Sequence, residues 1–401
     1  MSTSIQPLRS YFATGATQSY AFRIEQLQRL KKAVLDAEKE LYEALYADLK
    51  KTQEDAWATE IGFFLSELNH TIKNLKLWME PTSVATNLVN LPSASFIVQE
   101  PLGVVCIIAP WNYPFQLLFT PLIGAIAGGN CAVLKPSEFA PATAAVMQKI
   151  IHSLFSDNYI MYIEGEGAAV LPPLLSENRF DHIFYTGSTL VGKIIYKLAA
   201  EQLVPVTLEL GGKSPAVICE DANLRVAARR LANPKFSNCG QMCIAPDYIL
   251  VPPALKDKLI EELIIAIQAF YGKEAEASEH YGKIINEKQW LRLNAYLGDG
   301  EIVYGGKSNK EKLFIEPTIM VGVSPEAKIM QDEIFGPLLP ILTYESKEEA
   351  LSIIQKNPNP LAFYVFAENK NDQQYWLTNV PSGGACINNA TMHITNHDLP
   401  F

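Results

Sequence analysis

Residues 101–134, PLGVVCIIAPWNYPFQLLFTPLIGAIAGGNCAVL, contain no charged side chain. Pro110, Pro114 and Pro121 interrupt this stretch, so no unbroken apolar segment reaches the ~20 residues that a membrane-spanning helix needs. The pattern instead predicts a strand over 104–109, a helix over about 115–127 and a second strand over 131–134. Continuously apolar strands that alternate with helices indicate a parallel sheet covered on both faces.

The alternation of strands and helices continues on both sides of residue 210. Further strands are predicted at 159–163, 182–185, 206–210, 216–219, 248–251, 339–344 and 363–367. Helices are predicted at 222–237, 254–271, 287–297 and 346–355, and upstream as one long amphipathic helix over 19–50 followed by 56–79. A short apolar stretch at 95–99 fits one arm of a hairpin. The sequence therefore predicts two α/β layers joined near residue 210.

Composition excludes several classes of protein. Of 401 residues, 48% are hydrophobic and 19% are charged, which favours a folded chain over a disordered one. The net charge of −10 argues against a nucleic-acid or anionic-membrane partner. The first residues lack the apolar core of a secretory signal, so a cytoplasmic protein is expected. Six cysteines are too few for a disulfide framework, and no cysteine or histidine pairs have zinc-finger spacing, so no metal is expected.

Cys243 is a candidate nucleophile because Gly240 and Pro246 place it in a turn that enters a strand. A reactive cysteine must be accessible and ionisable. Cys106, Cys131 and Cys219 lie inside predicted apolar strands, where inert, buried thiols are expected. No histidine lies near Cys243 in sequence, so a Cys-His hydrolase would need long-range contacts.

Two polar residues lie at or just after the ends of predicted strands, where ligands gather in α/β proteins. Glu209 stands between Leu208 and Leu210, and burial there would raise its pKa toward that of a general base. The alternative is a carboxylate that caps the next turn. Asn112, between Pro110 and Pro114, can donate to a developing oxyanion or can satisfy its own turn.

A third candidate feature is a strand-to-helix turn at 187–192, GSTLVG, where backbone N–H groups can meet a phosphate. The stretch Gly165-Glu-Gly167 is nearer to the usual dinucleotide pattern but lacks its third glycine, so we set it aside. Lys135 and Glu138 follow another strand and either hold a ribose or start a helix.

Taken in order, six segments resemble the aldehyde dehydrogenase superfamily, in particular its class 3 branch of fatty and aromatic aldehyde dehydrogenases. The segments are 109–115 (APWNYPF), 134–138 (LKPSE), 184–192 (FYTGSTLVG), 208–215 (LELGGKSP), 238–243 (NCGQMC) and 333–337 (EIFGP). The resemblance runs from about residue 15 to residue 401, and the combination of the fourth and fifth segments is highly specific.

The resemblance implies a role for each matching residue. Cys243 matches the nucleophile, Glu209 the base that activates the deacylating water, and Asn112 the side chain of the oxyanion hole. The dinucleotide would be held by Lys135 and Glu138 at the adenosine ribose, by the turn residues Gly187, Ser188, Val191 and Gly192, and by Glu333 and Phe335 at the nicotinamide ribose and ring. The Glu138 carboxylate favours NAD over a cofactor with a 2′-phosphate, and NADP stays open because class 3 members are often dual.

The resemblance also implies a domain plan. It consists of N-terminal helices over 1–82, a bridging or oligomerisation hairpin over 83–100, a Rossmann-type NAD(P)-binding domain over 101–209, a second α/β catalytic domain over 210–390, and the start of an incomplete C-terminal segment over 391–401. A homodimer is expected if that shortened C-terminus permits it.

Two departures from the family pattern keep other functions open. The sequence stops where relatives continue with a glycine-rich turn and a final segment, and Asn233-Pro234 replaces an aromatic residue and a glycine. Pro234 is expected to kink the helix that leads to Cys243. The alternatives to an aldehyde dehydrogenase are therefore an inactive or unstable truncated pseudoenzyme and, opposed by Glu209, a CoA-acylating enzyme.

Overall fold

The computed structural model describes residues 4–399. The chain forms two compact units: the first comprises residues up to 45 together with 54–209, and the second comprises 46–53 together with the residues from 210 onward. Residues 1–3 and 400–401, which fall within the domains predicted at 1–82 and 391–401, lie outside the described residues.

Helices and strands up to residue 209 have the following bounds. The helices are α1 (Gln6–Ala13), α2 (Tyr20–Asp36), α3 (Glu38–Leu49), α4 (Gln53–Ala56), α5 (Gly62–Trp78), α6 (Gln116–Ala127), α7 (Pro141–Leu154), α8 (Gly167–Glu177) and α9 (Thr189–Ala200). The strands are β1 (Thr82–Val84), β2 (Ser95–Ile97), β3 (Val104–Ile108), β4 (Cys131–Lys135), β5 (Ile160–Tyr162), β6 (His182–Thr186) and β7 (Val206–Glu209).

The first unit is built around a five-stranded sheet in the order β5-β4-β3-β6-β7, and every pair in it is parallel. All five residues of β3 and all five of β4 are buried, as the uncharged stretch predicts. Burying each valine or isoleucine side chain contributes about 1.5–3 kcal/mol, so these two strands anchor the core of the unit. The predicted Rossmann-type parallel sheet is confirmed.

The N-terminal helices differ from their prediction. The single helix expected over 19–50 is wrong, because α2 ends at Asp36, Ala37 is a turn residue, and α3 begins at Glu38. The apolar spacing continues across the break, so periodicity alone could not show it. The arm predicted at 95–99 is confirmed as β2, which pairs with β1 in an antiparallel hairpin.

Beyond residue 209 the chain repeats the α/β pattern. The helices are α10 (Leu224–Phe236), α11 (Pro253–Tyr271), α12 (Glu287–Tyr296), α13 (Lys328–Gln331), α14 (Lys347–Ile354) and α15 (Lys370–Asn379). The strands are β8 (Pro215–Ile218), β9 (Tyr248–Val251), β10 (Glu301–Tyr304), β11 (Ser308–Asn309), β12 (Phe314–Ile315), β13 (Thr318–Val321), β14 (Leu338–Thr343), β15 (Ala362–Phe366) and β16 (Gly384–Ile387).

The second unit contains a seven-stranded sheet in the order β10-β13-β14-β9-β8-β15-β16. Only β10 runs antiparallel to its neighbour, and the other pairs are parallel. The predicted second α/β layer is confirmed, although the sequence analysis missed β10, β13 and β16. The helix α10 continues through Pro234 to Phe236. Among residues 4–399, we find no helix with both the length and the apolar character needed to cross a membrane.

Candidate active site

The carboxyl ends of the strands in the first unit bring four predicted site segments to one edge of its sheet. In β3, Ile108 is level with Lys135 of β4 and with Tyr185 of β6, and Thr186 is level with Glu209 of β7. Asn112, Lys135, Ser188 and Glu209 therefore all lie at or just beyond this edge, although they are far apart in sequence. This is the edge at which open parallel sheets bind ligands.

Lys135 and Glu138 form a half-buried ion pair at this edge. The side chain of Lys135 is only 2% exposed, and its Nζ lies 3.4 Å from Glu138 Oε2 and 2.7 Å from the carbonyl oxygen of Pro136. Burial lowers the pKa of Lys135, and the neighbouring carboxylate opposes that shift. Burial alone would raise the pKa of Glu138, but N–H donors and Lys135 bring it below its usual value. The carboxylate is thus held in its ionised form.

One of those N–H donors comes from the glycine pattern that the sequence analysis set aside. The backbone N–H of Gly167 donates to Glu138 Oε1 at 2.9 Å. Gly165-Glu-Gly167 therefore supports the predicted ribose-binding carboxylate through one hydrogen bond, a role that its spacing did not indicate.

The turn at 187–192 has the local geometry of an anion-binding helix start. Ser188 caps α9, and its Oγ accepts from the N–H of Val191 at 3.4 Å. At Gly187, where φ is 158°, any Cβ would collide with the Tyr185 hydroxyl, which itself donates to the Ser188 carbonyl. A larger residue here would therefore have to displace the Tyr185 side chain. The first turn of the 12-residue helix directs its free N–H groups outward.

Glu209 is the last residue of β7 and is half-buried. Its carbonyl oxygen accepts from the N–H of Gly187 at 3.0 Å, which ties the base candidate to the turn at 187–192. Burial raises the pKa of the Glu209 carboxyl, as the sequence predicts. A carboxyl with a raised pKa is a stronger base for water than an ordinary surface carboxylate.

Asn112 lies in the turn after β3 and is 3% exposed. Four residues downstream the chain enters α6, and the buried carboxylate of Glu60 accepts from the N–H groups of Phe115 at 3.1 Å and Gln116 at 2.9 Å. Glu60 thus acts as an N-terminal cap supplied from a remote π-helical turn, Trp57–Ile61. The sequence analysis missed Glu60 because 55 residues separate it from the turn that it fixes.

The loop that carries Cys243 has a left-handed backbone. Asn238, Cys239 and Gly240 have φ values of 49°, 54° and 69°. Non-glycine residues adopt this region at a cost, which neighbouring packing must offset. Cys243 follows this turn and is half-buried, whereas Cys239 is 1% exposed. Burial raises the pKa of the Cys239 thiol to about 12, so of the two cysteines only Cys243 is accessible.

The three cysteines interpreted as inert are buried. Burial raises the pKa of Cys106 and of Cys131 to about 12, and that of Cys219 to about 11. At neutral pH these thiols stay protonated and packed, as their positions in or beside apolar strands predict. The remaining cysteine, Cys386, is half-buried, and its Sγ lies 3.3 Å from His393 Nδ1.

Tyr364 of β15 supports the backbone beside Cys243, and the sequence analysis did not identify it. Its hydroxyl is buried and donates to the carbonyl of Ile244 at 2.5 Å. Burial raises the pKa of this hydroxyl well above its usual range, and the nearby sulfurs of Cys386 and Cys243 add to the rise. Tyr364 therefore stays protonated and holds the residue that follows Cys243.

Glu333 and Phe335 lie in the loop after α13. The Oε1 atom of Glu333 is buried and has no hydrogen-bond partner among the described residues. Burial raises the pKa of Glu333 well above its usual range, and the Asp247 carboxylate adds to that rise. Phe335 is half-buried with a left-handed φ of 48°. An orphaned, buried acceptor in a strained loop is the arrangement expected where a ligand hydroxyl supplies the missing bond.

A buried charge cluster lies near this loop. Lys213 Nζ is 2.7 Å from Asp247 Oδ2, and Lys235 Nζ is 3.9 Å from Asp247 Oδ1. All three side chains are at most 3% exposed. Lys235 Nζ makes no hydrogen bond among the described residues, and burial lowers its pKa to about 8. Lys235 is thus a buried cation that Asp247 compensates only in part.

We expect Lys235→Met to stabilise the protein at pH 7. Since the pKa falls from 10.5 to about 8 on folding, burial of this cation costs roughly 3 kcal/mol at pH values below 8. The cost disappears as pH rises from about 8 to 10.5, so the urea midpoint of the wild type should approach that of the variant over this range. A variant less stable than the wild type at pH 7 would show that Lys235 contributes net stability.

Comparison with known proteins agrees with this architecture. The family model described as "Aldehyde dehydrogenase family" matches residues 5–401. "4,4'-diaponeurosporen-aldehyde dehydrogenase" of Staphylococcus aureus (strain NCTC 8325 / PS 47) is 47% identical over 98% of this chain and 86% of its own length. "Aldehyde dehydrogenase family 3 member A2" of Rattus norvegicus is 40% identical over 100% of this chain and 82% of its own length.

Comparison with solved structures also identifies aldehyde dehydrogenases as similar proteins. A structure described as "Substrate bound state of Staphylococcus Aureus AldH" superposes with a TM-score of 0.96 at 46% identity, covering 99% of this chain and 86% of that one. A mutant of the P. syringae indole-3-acetaldehyde dehydrogenase, in complex with NAD+ and IAA, gives a TM-score of 0.87 at 28% identity, covering 96% of this chain and 80% of that one.

Two α/β units, one with a parallel sheet and one with a mainly parallel sheet, together with these relatives define an oxidoreductase of the type that the relatives represent. The chain belongs to the aldehyde dehydrogenase family. Its predicted resemblance to the class 3 branch is confirmed by the relative named as a family 3 member. The predicted fold class and the prediction of an enzyme are confirmed with it.

Proposed function

We propose that this protein oxidises an aldehyde to the carboxylic acid with NAD as the hydride acceptor, NADP being the alternative acceptor. The observation that carries the proposal is the contrast between two neighbouring cysteines. Cys243 is accessible on a loop fixed by three left-handed residues and by Tyr364, whereas Cys239 is buried with a pKa of about 12. A loop that is fixed in this way and carries one accessible sulfur is suited to hold a nucleophile in position.

The residues present fit a nicotinamide dinucleotide. The buried Oε1 of Glu333 lacks a partner among the described residues, and a ribose hydroxyl is a donor of the right kind. Lys135 and Glu138 would hold the adenosine ribose, the turn formed by Gly187, Ser188, Val191 and Gly192 the diphosphate, and Glu333 with Phe335 the nicotinamide ribose and ring. When bound, the cofactor supplies the acceptor for the hydride that leaves the substrate carbon.

The chain itself supplies the acyl chemistry. The Cys243 thiolate attacks the aldehyde carbon and forms a C–S bond, so that negative charge develops on the aldehyde oxygen. The side-chain amide of Asn112 and the backbone N–H of Cys243 donate to this oxygen. Loss of hydride from the same carbon leaves a thioester on Cys243.

Release of the product requires a base, and Glu209 is proposed for it. Its raised pKa allows it to take a proton from water, and the resulting hydroxide attacks the thioester carbon. The C–S bond breaks, the Cys243 thiolate is regenerated, and the carboxylic acid leaves. The overall balance is aldehyde, NAD+ and water converted to carboxylate, NADH and two protons.

The ionised Glu138 supports a preference for NAD. The N–H of Gly167 and the Lys135 cation stabilise its negative charge. A 2′-phosphate on the adenosine ribose would be repelled by a carboxylate at that ribose. The P. syringae structure is described as a complex with NAD+, which agrees with this preference.

The test is NADH formation, followed by absorbance, with a panel of long-chain, short-chain and aromatic aldehydes and with no coenzyme A. The panel includes 4,4'-diaponeurosporen-aldehyde, the aldehyde in the name of the S. aureus relative. We expect turnover with at least one aldehyde, release of the free acid, and a lower KM for NAD than for NADP. Absence of NADH with every aldehyde, in protein that is shown to be folded, would contradict the proposal.

We further propose that a second copy of the chain covers the β1–β2 hairpin. Its residues are largely exposed and include apolar side chains such as Val89, which is 88% exposed, and Phe96, which is 59% exposed. An exposed apolar cluster of this kind marks an interaction surface. Light scattering of the wild type should give the mass of a dimer. The Phe96→Asp variant should give a mass closer to that of the monomer. A monomeric wild type would contradict the proposal.

A further inference from the structure

Lys213 holds the backbone of the segment that leads into Glu333. Its Nζ donates to the carbonyl oxygens of Ile329 at 2.7 Å and Asp332 at 2.9 Å, in addition to its 2.7 Å contact with Asp247. Three acceptors therefore satisfy the three donors of a side chain that is 1% exposed. Two of these acceptors are backbone carbonyls just before Glu333.

The backbone that follows Glu333 is hydrogen-bonded to two further charged side chains. Asp247 accepts from the N–H of Ile334 through both carboxylate oxygens, at 3.1 and 3.2 Å. Arg292 of α12 donates from Nη2 to the carbonyl oxygen of Ile334 at 2.8 Å. The peptide groups before and after Glu333 are therefore each bonded to an ionised side chain, and such charge-assisted bonds are stronger than neutral ones.

The Glu333 carboxylate itself lies against the Gly211-Gly212 backbone. A Cβ at position 211 would collide with the Glu333 carboxylate, so only glycine permits this approach. The N–H of Gly212 donates to the carboxylate. One short segment thus has two effects on Glu333. Gly211 leaves space for its carboxylate, and the Lys213 cation anchors the loop that carries it.

We propose that Lys213, Asp247 and Arg292 are positioning residues that hold Glu333 ready to bind the nicotinamide ribose, an inference that rests on the cofactor site proposed above. Stability is a weak explanation for this cluster, because a buried ion pair gains little once desolvation is counted. The bonds of Lys213, Asp247 and Arg292 converge instead on the backbone of one loop. Their shared effect is to aim a carboxylate whose Oε1 lacks a partner among the described residues.

The test is a double-mutant cycle on NADH affinity, measured by nucleotide fluorescence on the full chain without aldehyde. Lys213→Met and Glu333→Gln are each expected to raise the dissociation constant about tenfold. Because Lys213 acts through Glu333, the double variant should also lose about tenfold, whereas independent effects would multiply to about a hundredfold. Lys347→Met is the control, since it removes a partly exposed ion pair with Asp372 in the same unit and should leave the affinity unchanged.

Arg292→Gln provides a second cycle if Lys213→Met fails to fold, because Arg292 is only half-buried. It should weaken NADH binding in the wild-type background and have no effect in the Glu333→Gln background. Unchanged affinity in the folded single variants, or multiplied effects in the double variants, would overturn the inference while leaving the proposed function intact. A wild type that does not bind NADH would overturn both.

Discussion

Replacement of Cys243 by alanine is expected to abolish NADH formation, with a loss of at least about 10³-fold in kcat. The scheme needs a covalent bond to this sulfur before hydride can leave, and no neighbouring group can replace it. Cys239 is buried with a pKa of about 12, so it offers neither access nor thiolate. The measurement is the aldehyde-dependent rise in absorbance of NADH, with NADH affinity checked to show that the cofactor site survives.

Cys386→Ala is the matched control for this experiment. Cys386 is the other half-buried cysteine among the described residues, and its sulfur lies beside His393. Its pKa is raised by burial, which disfavours the thiolate, so the variant should keep its activity. Mass spectrometry of the wild type with iodoacetamide should find Cys243 modified first. Equal activity of wild type and Cys243→Ala would refute the covalent scheme.

Much of the fold could be predicted because a long run of apolar residues in the sequence indicates a buried strand. The strands β3, β4 and β9 consist wholly of buried residues, and their sequences carry no charge except Lys135. The strands β10 and β16, which were missed, lack such a buried apolar run. The four residues of β10 are mostly exposed, and β16 begins with glycine in a loop-like sequence. Such strands are defined by the neighbour with which they pair rather than by their own residues.

Some residues of the candidate site could likewise be predicted from the sequence, and others could not. Glu209 could be inferred from its flanking leucines, and the structure places it at the end of β7 with a raised pKa. Glu60 and Tyr364 could not be inferred, because their partners lie 55 and 120 residues away in sequence. The sequence favoured Cys243 through its flanking Gly240 and Pro246 and through the family resemblance, but it gave no measure of how differently Cys239 and Cys243 are buried. The difference between them is burial, which arises only when the left-handed loop packs.

The loop around Glu333 shows why short motifs can be strong signals. Gly211 and Lys213 are two positions apart, yet one makes room for the Glu333 carboxylate and the other anchors the backbone before it. The segments 208–215 and 333–337 therefore depend on each other physically. A side chain at position 211 would displace the Glu333 carboxylate, and loss of Lys213 would leave the buried Asp247 carboxylate without its 2.7 Å partner.

Glu209→Gln is expected to separate acylation from deacylation. Glutamine keeps the size of the side chain but cannot take a proton from water, so the thioester should accumulate on Cys243. Stopped-flow mixing with aldehyde and NAD should show a burst of NADH close to one equivalent of enzyme. Steady-state turnover should then fall by about 10²–10⁴-fold.

The pH profile gives an independent readout of the same residue. Because burial raises the pKa of Glu209, the wild-type steady-state rate should fall as pH drops through a value above that of an ordinary glutamate. The burst amplitude should be less sensitive, since acylation does not use this base. Glu201→Gln, an exposed carboxylate at the end of α9, should leave both phases unchanged. Hydroxylamine should restore turnover in Glu209→Gln, because it attacks the thioester without a general base. A variant that turns over at the wild-type rate with no burst would exclude Glu209 as the base and would require another group to activate the water.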